Sequence, residues 1–260
     1  MQKAARPVVD TREAPPLHTE GAGYRRKFMP ERGRRIGDEP PTYWLYLHGF
    51  GSSPKSKKAE FFRKKFSAVG IPFFAPDLNI PSFREMTISA ILSTIDDLIR
   101  DTIPDDGKIG IIGSGLGGVI AVHTAARHRA VKRLLLLAPS FALFRETFLG
   151  LGRVGVKLWE KDGSAEVYNA ALDRSTRISS DFLVDARNYD ENQVRLSIPI
   201  TIVHGESDEH VDPQVSIVYA RNNPNVRLHL VDDDHSLILS AQKIWEWLWQ
   251  DIRPHGPESR

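Results

Sequence analysis

Asp208 and His235 stand where paired proton chemistry is possible. Each follows a short apolar run, Ile200–His204 and Val226–Val231 respectively. If those runs are neighbouring parallel strands, both side chains emerge at the carboxyl edge of one sheet. A carboxylate there can accept from one imidazole nitrogen, fix the tautomer and leave the other nitrogen as a general base. The plainer alternatives are a surface aspartate within Glu206-Ser207-Asp208-Glu209 and a solvated or helix-capping histidine. Asp232, Asp233 and Asp234 read as solvated loop acids rather than metal ligands. His48 reads as support for its own loop, and His123, His128, His204, His210 and His229 carry no motif role.

A second stretch with chemical potential is Gly113-Ser114-Gly115-Leu116-Gly117-Gly118, between an apolar run and a helix. It satisfies G-x-G-x-x-G, the dinucleotide fingerprint whose helix N-terminus holds a pyrophosphate. That fingerprint also needs an acid about 20 residues on, at the end of the next strand, to bind a ribose. Here that strand ends Leu137-Ala138-Pro139-Ser140, with no acid. The other reading is a nucleophile elbow, small-x-nucleophile-x-small, on a sharp strand-to-helix turn. Only a nucleophile at Gly115 puts small residues, Gly113 and Gly117, on both flanks. Ser114 would be flanked by Ile112 and Leu116, and its side chain should point away from the pocket.

These residues need a scaffold, and the pattern supplies one. Strands are expected at Tyr43–Leu47, Ile71–Ala75, Lys108–Ile112, Leu134–Leu137, Ile200–His204 and Val226–Val231. Ser53-Pro54 reads as the start of a helix with Ala59, Phe62, Phe66 and Val69 on one face and Gly70 as its stop. Ser82 and Glu85 read as a capping box for a helix carrying Ile88, Ile91, Leu92, Ile95, Leu98 and Ile99. Another helix runs from the glycine-rich turn to about His128. Asp212-Pro213 starts one more, and the last spans about Leu237–Trp249. Four consecutive leucines at 134–137 imply burial on both sheet faces. The alternation predicts an α/β fold, a mainly parallel sheet flanked by helices. Pro139–Leu196 breaks it. The helical spacing of Phe141, Phe144 and Phe148, with a hairpin over Glu166–Ala171 and Thr176–Ser179, reads as a small cap.

Composition bounds the rest. The chain has 260 residues, 41% hydrophobic and 26% charged, which suits one domain with a sizeable core. Residues 1–40 hold nine Lys/Arg against six Asp/Glu and read as a disordered tail, with a low-grade strand signal at Gly23–Met29. The domain is expected over 41–252, its cap at about 139–196, with a second tail at 253–260. Of the net charge of +2, the first 40 residues carry +3, so the body has no basic footprint for nucleic acid. No apolar run reaches about 18 residues, so no membrane span is expected. No signal peptide is expected either. The absence of cysteine excludes thiol chemistry and fits a cytoplasmic setting. No cofactor and no metal are implied, and oligomeric state is left open.

At four places in order the chain resembles the α/β-hydrolase superfamily, most of all small bacterial esterases. These are Tyr46-Leu47-His48-Gly49-Phe50 with Gly51-Ser52-Ser53-Pro54, the elbow with Gly117-Gly118, Val203 to Val211, and Asp233-Asp234-His235-Ser236. The cap stretch Trp159…Gly163…Asp181-Phe182-Leu183…Asp185-Ala186-Arg187…Tyr189-Asp190 is similar too, and the likeness covers roughly 43–250. It implies Asp208 as acid, His235 as base and the backbone N–H groups of Phe50 and Leu116 as oxyanion donors. It implies a small-molecule acyl substrate, an ester or thioester, as partner. The nucleophile position, however, holds Gly115, which has no Oγ. Three explanations remain open. A serine has been replaced in an otherwise intact site. Or the chain is a non-catalytic ligand-binding or interaction protein. Or His235 activates water, or abstracts a substrate proton, with no covalent step.

Overall fold

A computed structural model describes residues 42–141 and 152–253. The tail at 1–40, the strand signal at Gly23–Met29, Phe144, Phe148 and residues 254–260 lie outside the described residues.

Six strands pair side by side, all parallel: β1 (Thr42–Leu47), β2 (Phe73–Phe74), β3 (Lys108–Ser114), β4 (Val131–Leu137), β7 (Ile200–Gly205) and β8 (Val226–Val231). Their order is β2-β1-β3-β4-β7-β8. Between them run α1 (Lys57–Ala68), α2 (Ile88–Thr102), α3 (Leu116–Arg127), α6 (Gln214–Asn222) and α7 (Ala241–Ile252). The segment between β4 and β7 adds α4 (Gly152–Asp162), an antiparallel hairpin of β5 (Ser164–Asn169) and β6 (Arg174–Ser179), and the short α5 (Asp181–Ala186).

Alternate strand residues feed two cores, as the pleat requires. Leu45, Leu47, Ile109, Ile111, Leu134 and Leu136 face α2 and α3. Trp44, Tyr46, Ile112, Leu135 and Leu137 face α1 and α7. The four leucines are therefore buried on both faces, as their run implies. The chain leaves β1 toward β2 and returns to place β3 on the other side of β1. Ligands bind at such a topological switch point, beyond the carboxyl ends of the strands.

Several element boundaries differ from the sequence expectation. α1 starts at Lys57, because Ser56 rather than Ser53 accepts from the Ala59 amide at 3.3 Å. Ser82 and Glu85 do meet, at 2.9 Å, but inside a turn; Thr87 caps α2 by accepting from the Ala90 amide at 3.1 Å. Only Phe73 and Phe74 of the Ile71–Ala75 run are strand. Leu237 closes a turn, its amide donating to the Asp234 carbonyl at 3.3 Å, with φ 52°, and α7 begins at Ala241. Among the described residues no helix is long and apolar enough to cross a membrane.

Candidate active site

β3 ends at Ser114 and α3 begins at Leu116, leaving Gly115 alone at the bend. It turns with φ 54° and ψ −118°, a region an L side chain enters only under strain. The flanks are packed backbone to backbone. A Cβ on Gly113 would lie 2.4 Å from the Gly117 carbonyl oxygen, and one on Gly117 would lie 2.0 Å from the Leu47 carbonyl oxygen. Glycine at 113 and 117 is thus a packing requirement of the bend. Gly117→Ala forces β1 and α3 apart and is expected to lose stability at or beyond the top of the usual range of about 1–3 kcal/mol for overpacking, read as a fall in urea midpoint.

A Cβ on residue 115 would lie 3.6 Å from His235 Nε2, 3.6 Å from Gly49 Cα and 3.5 Å from Ser140 Oγ. Position 115 thus aims at the imidazole. Ser114 does not: its hydroxyl, with that of Ser56, meets the buried Tyr46 hydroxyl. Burial pushes the Tyr46 phenol up to about 12 even though these hydrogen bonds pull it down.

Asp208 follows β7 and His235 follows β8. The two loops approach because Gly205 has no Cβ; one there would lie 2.3 Å from the Asp233 carbonyl oxygen. His235 Nδ1–H donates to Asp208 Oδ2 at 2.8 Å, which leaves Nε2 bare toward the elbow. Asp208 Oδ1 accepts the His210 and Val211 amides, each at 2.9 Å. Burial would raise the Asp208 carboxyl, but bonds from His204 and His235, the Val211 amide and the His235 charge hold it far below the usual carboxylate range. Phe50 and Leu116 exit the same sheet edge, since β1 and β3 are paired with Leu47 opposite Gly113. Leu116 is the first residue of α3, where helix geometry leaves the N–H without an intrahelical acceptor. The Phe50 loop is held by His48, whose Nε2 accepts the Leu78 amide at 2.9 Å while Nδ1–H donates to the Gly49 carbonyl at 2.9 Å.

The sequence pattern that defines the uncharacterised protein family UPF0227 matches residues 43–249, from β1 to α7. The chain belongs to UPF0227. Solved structures similar to this UPF0227 chain include a candidate hydrolase from Agrobacterium vitis S4, with TM-score 0.72 and 23% identity, covering 84% of this chain and 90% of that one. Est1E from Butyrivibrio proteoclasticus with ferulic acid bound has TM-score 0.69 and 19% identity over 84% and 92% of the two chains. Mouse alpha/beta hydrolase domain-containing protein 10 has TM-score 0.66 and 21% identity over 84% and 93%. These likenesses show the fold, that of the α/β hydrolases. A Mycobacterium tuberculosis protein, Lipase LipV, is 31% identical over 115 residues; the match spans 42% of this chain and 42% of the lipase.

Three features of the candidate site were not anticipated. His204, the last but one residue of β7, is fully buried against Asp208. Its Nε2 faces two acceptors, Asp208 Oδ2 at 3.1 Å and the Val211 carbonyl at 3.0 Å, so it carries the proton. Its Nδ1 then accepts the Ser216 hydroxyl at 2.7 Å. Asp208 therefore receives two imidazoles. A histidine four residues before the acid was the available signal, but an inward-facing strand position does not by itself reveal the partner. Asp233, expected to be solvated, is 5% exposed and accepts the Asp234 and Ser240 amides, each at 2.8 Å. It is a structural brace for the His235 loop.

Lys58 is the third. From α1 its amine donates to the His235 carbonyl at 3.4 Å. Burial pulls that amine down to about 8, against the opposing pull of the Asp208, Asp234 and Asp233 carboxylates. From about pH 8 up to the ordinary value of 10.5 the unfolded chain holds more protons at Lys58 than the folded chain. Stability should therefore rise with pH across that window, and Lys58→Met should abolish the rise. Urea midpoints at pH 8 and about pH 9.5, below most tyrosine ionisation, measure it.

Proposed function

We propose that this chain is an esterase or thioesterase scaffold for small to medium acyl substrates, with covalent catalysis through position 115 impaired by glycine. Asp208 orients His235, His235 acts as base, and the Phe50 and Leu116 amides receive the carbonyl oxygen as charge develops on it. The observation that carries the reading is the direction of the missing side chain at 115, toward an imidazole nitrogen 3.6 Å away that Asp208 keeps bare. The α/β-hydrolase fold and the partial likeness to a lipase support it. Apolar surroundings favour an apolar acyl group: Phe50 packs edge-on against Phe83 at 5.2 Å and against Phe182 at 5.5 Å. The segment between β4 and β7, read as a cap over the site, is tied to the Phe50 loop by the Ala171 amide, which donates to the Gly51 carbonyl at 2.9 Å. The cysteine-free composition supports a cytoplasmic setting.

Gly115 itself favours a second reading, a protein that binds an acyl ligand without turning it over. The two separate cleanly. Gly115→Ser should label covalently with a serine-directed fluorophosphonate at residue 115 and hydrolyse short activated esters. An unlabelled, inactive variant that still binds a fatty acid or acyl-thioester tightly supports the binding protein instead.

A further inference from the structure

Just beyond β4 the backbone does something costly. Ala138 holds φ 43°, the left-handed region, where a residue with a Cβ sits only when its surroundings compel it. Two bonds do so. The Ala138 amide donates to the Val203 carbonyl at 2.8 Å, and the Ser140 amide donates to the carbonyl of Gly115 at 3.1 Å. Gly118 makes room, since a Cβ there would lie 2.7 Å from Pro139 Cβ. This turn thus fixes Ser140 to the elbow itself.

Its hydroxyl is delivered to the reacting side. Ser140 Oγ lies 3.5 Å from the position a Cβ on residue 115 would take, and His235 Nε2 lies 3.6 Å from that same position. Hydroxyl and base face one point, from which glycine removes the intervening side chain. Ser140 is half-buried, and no described residue shares a hydrogen bond with its Oγ. It is therefore not spent on capping or on bracing a loop, the usual work of a serine beside a turn.

We propose that Ser140 is the nucleophile of this chain, supplying from the turn after β4 the hydroxyl that Gly115 lacks; the assignment rests on the acyl-hydrolase reading of the site. Ser140 Oγ attacks the carbonyl carbon of an ester or thioester while its proton passes to His235 Nε2. The carbonyl electron pair moves onto oxygen, toward the Phe50 and Leu116 amides. Collapse breaks the bond to the leaving alcohol or thiol, which takes the proton from His235. Water then attacks the acyl-serine, with His235 again as base, releasing the carboxylic acid and restoring the hydroxyl.

The chain as it stands is treated with a fluorophosphonate and its tryptic peptides are weighed. Ser140 is the sole serine between Arg133 and Arg145, so its peptide is unambiguous. A single adduct on that peptide is expected. Ser140→Ala should remove the label and lower ester turnover at least about tenfold. Gly115→Ser/Ser140→Ala should label on the peptide carrying residue 115. No adduct on the native chain, an adduct elsewhere, or unchanged turnover in Ser140→Ala overturns the assignment. If Gly115→Ser labels while the native chain does not, only the assignment to Ser140 falls. If neither labels, the hydrolase reading falls with it. A second variant covers the case of a sluggish serine. The chain contains no cysteine, so Ser140→Cys carries one thiol. Its alkylation by iodoacetamide at neutral pH should run several-fold faster than in Ser140→Cys/His235→Gln, because an adjacent imidazole favours thiolate. Equal rates across pH would contradict the pairing.

Discussion

Gly115→Ser/Ser140→Ala should raise kcat/KM for a short activated ester by on the order of 10³-fold over Ser140→Ala. Where a serine nucleophile is removed from a comparable acid–base–oxyanion arrangement, the loss is about 10⁶-fold, and what survives is still about 10³–10⁴ above water. Restoring the hydroxyl should recover much of that interval, because the groups it needs are assembled. His235 Nε2 is 3.6 Å from the Cβ position, and Asp208 holds the ring at 2.8 Å. Recovery should fall short of the full interval. Residue 115 keeps φ 54°, where any side chain is strained by about 1–3 kcal/mol, so the same variant should unfold at lower urea. Initial rates with p-nitrophenyl acetate, against Gly115→Ser/His235→Ala as background, measure the gain.

Asp208→Asn in the Gly115→Ser chain should cancel most of that gain, about 10³-fold, with the fold intact. Asp208 Oδ2 accepts from both His235 and His204. Oδ1 accepts two backbone amides, so an asparagine keeps its oxygen there and turns its NH2 toward both rings. Nδ1 of His235 becomes the acceptor, the proton moves to Nε2 and the base is lost. Stability should report the same carboxylate. Its folded pKa is depressed, so the stabilisation is fully present above the unfolded value of about 3.9 and is lost as pH falls below it. Asp208→Asn should flatten the acid limb of the stability profile, measured as urea midpoints between about pH 5 and pH 3.

The parts of the site readable in sequence were those fixed by local rules. Gly113 and Gly117 mark a bend because no Cβ fits there, and a strand followed at once by a helix fixes where residue 115 points. Asp208 and His235 follow neighbouring parallel strands, so one sheet edge collects both. The parts that stayed hidden depend on neighbours distant in sequence. Ser140 lies 25 residues beyond Gly115, and only the pairing of Ser114 with Leu137 brings their loops together. Lys58 carries no motif signal, and its approach to the His235 carbonyl spans 177 residues. Helix starts failed for a related reason. Ser53 and Ser82 carry start signals, but Ser56 and Thr87 are the side chains that cap, so α1 and α2 begin later; α7 begins at Ala241, with no side-chain cap.

The most direct test is a crystal structure of Gly115→Ser after reaction with a fluorophosphonate. The phosphonyl oxygen should lie between the amides of Phe50 and Leu116, about 2.7–3.1 Å from each, with His235 Nε2 beside the new ester oxygen and Nδ1 still on Asp208. A phosphonyl oxygen turned to solvent, or an imidazole parted from Asp208, would contradict it.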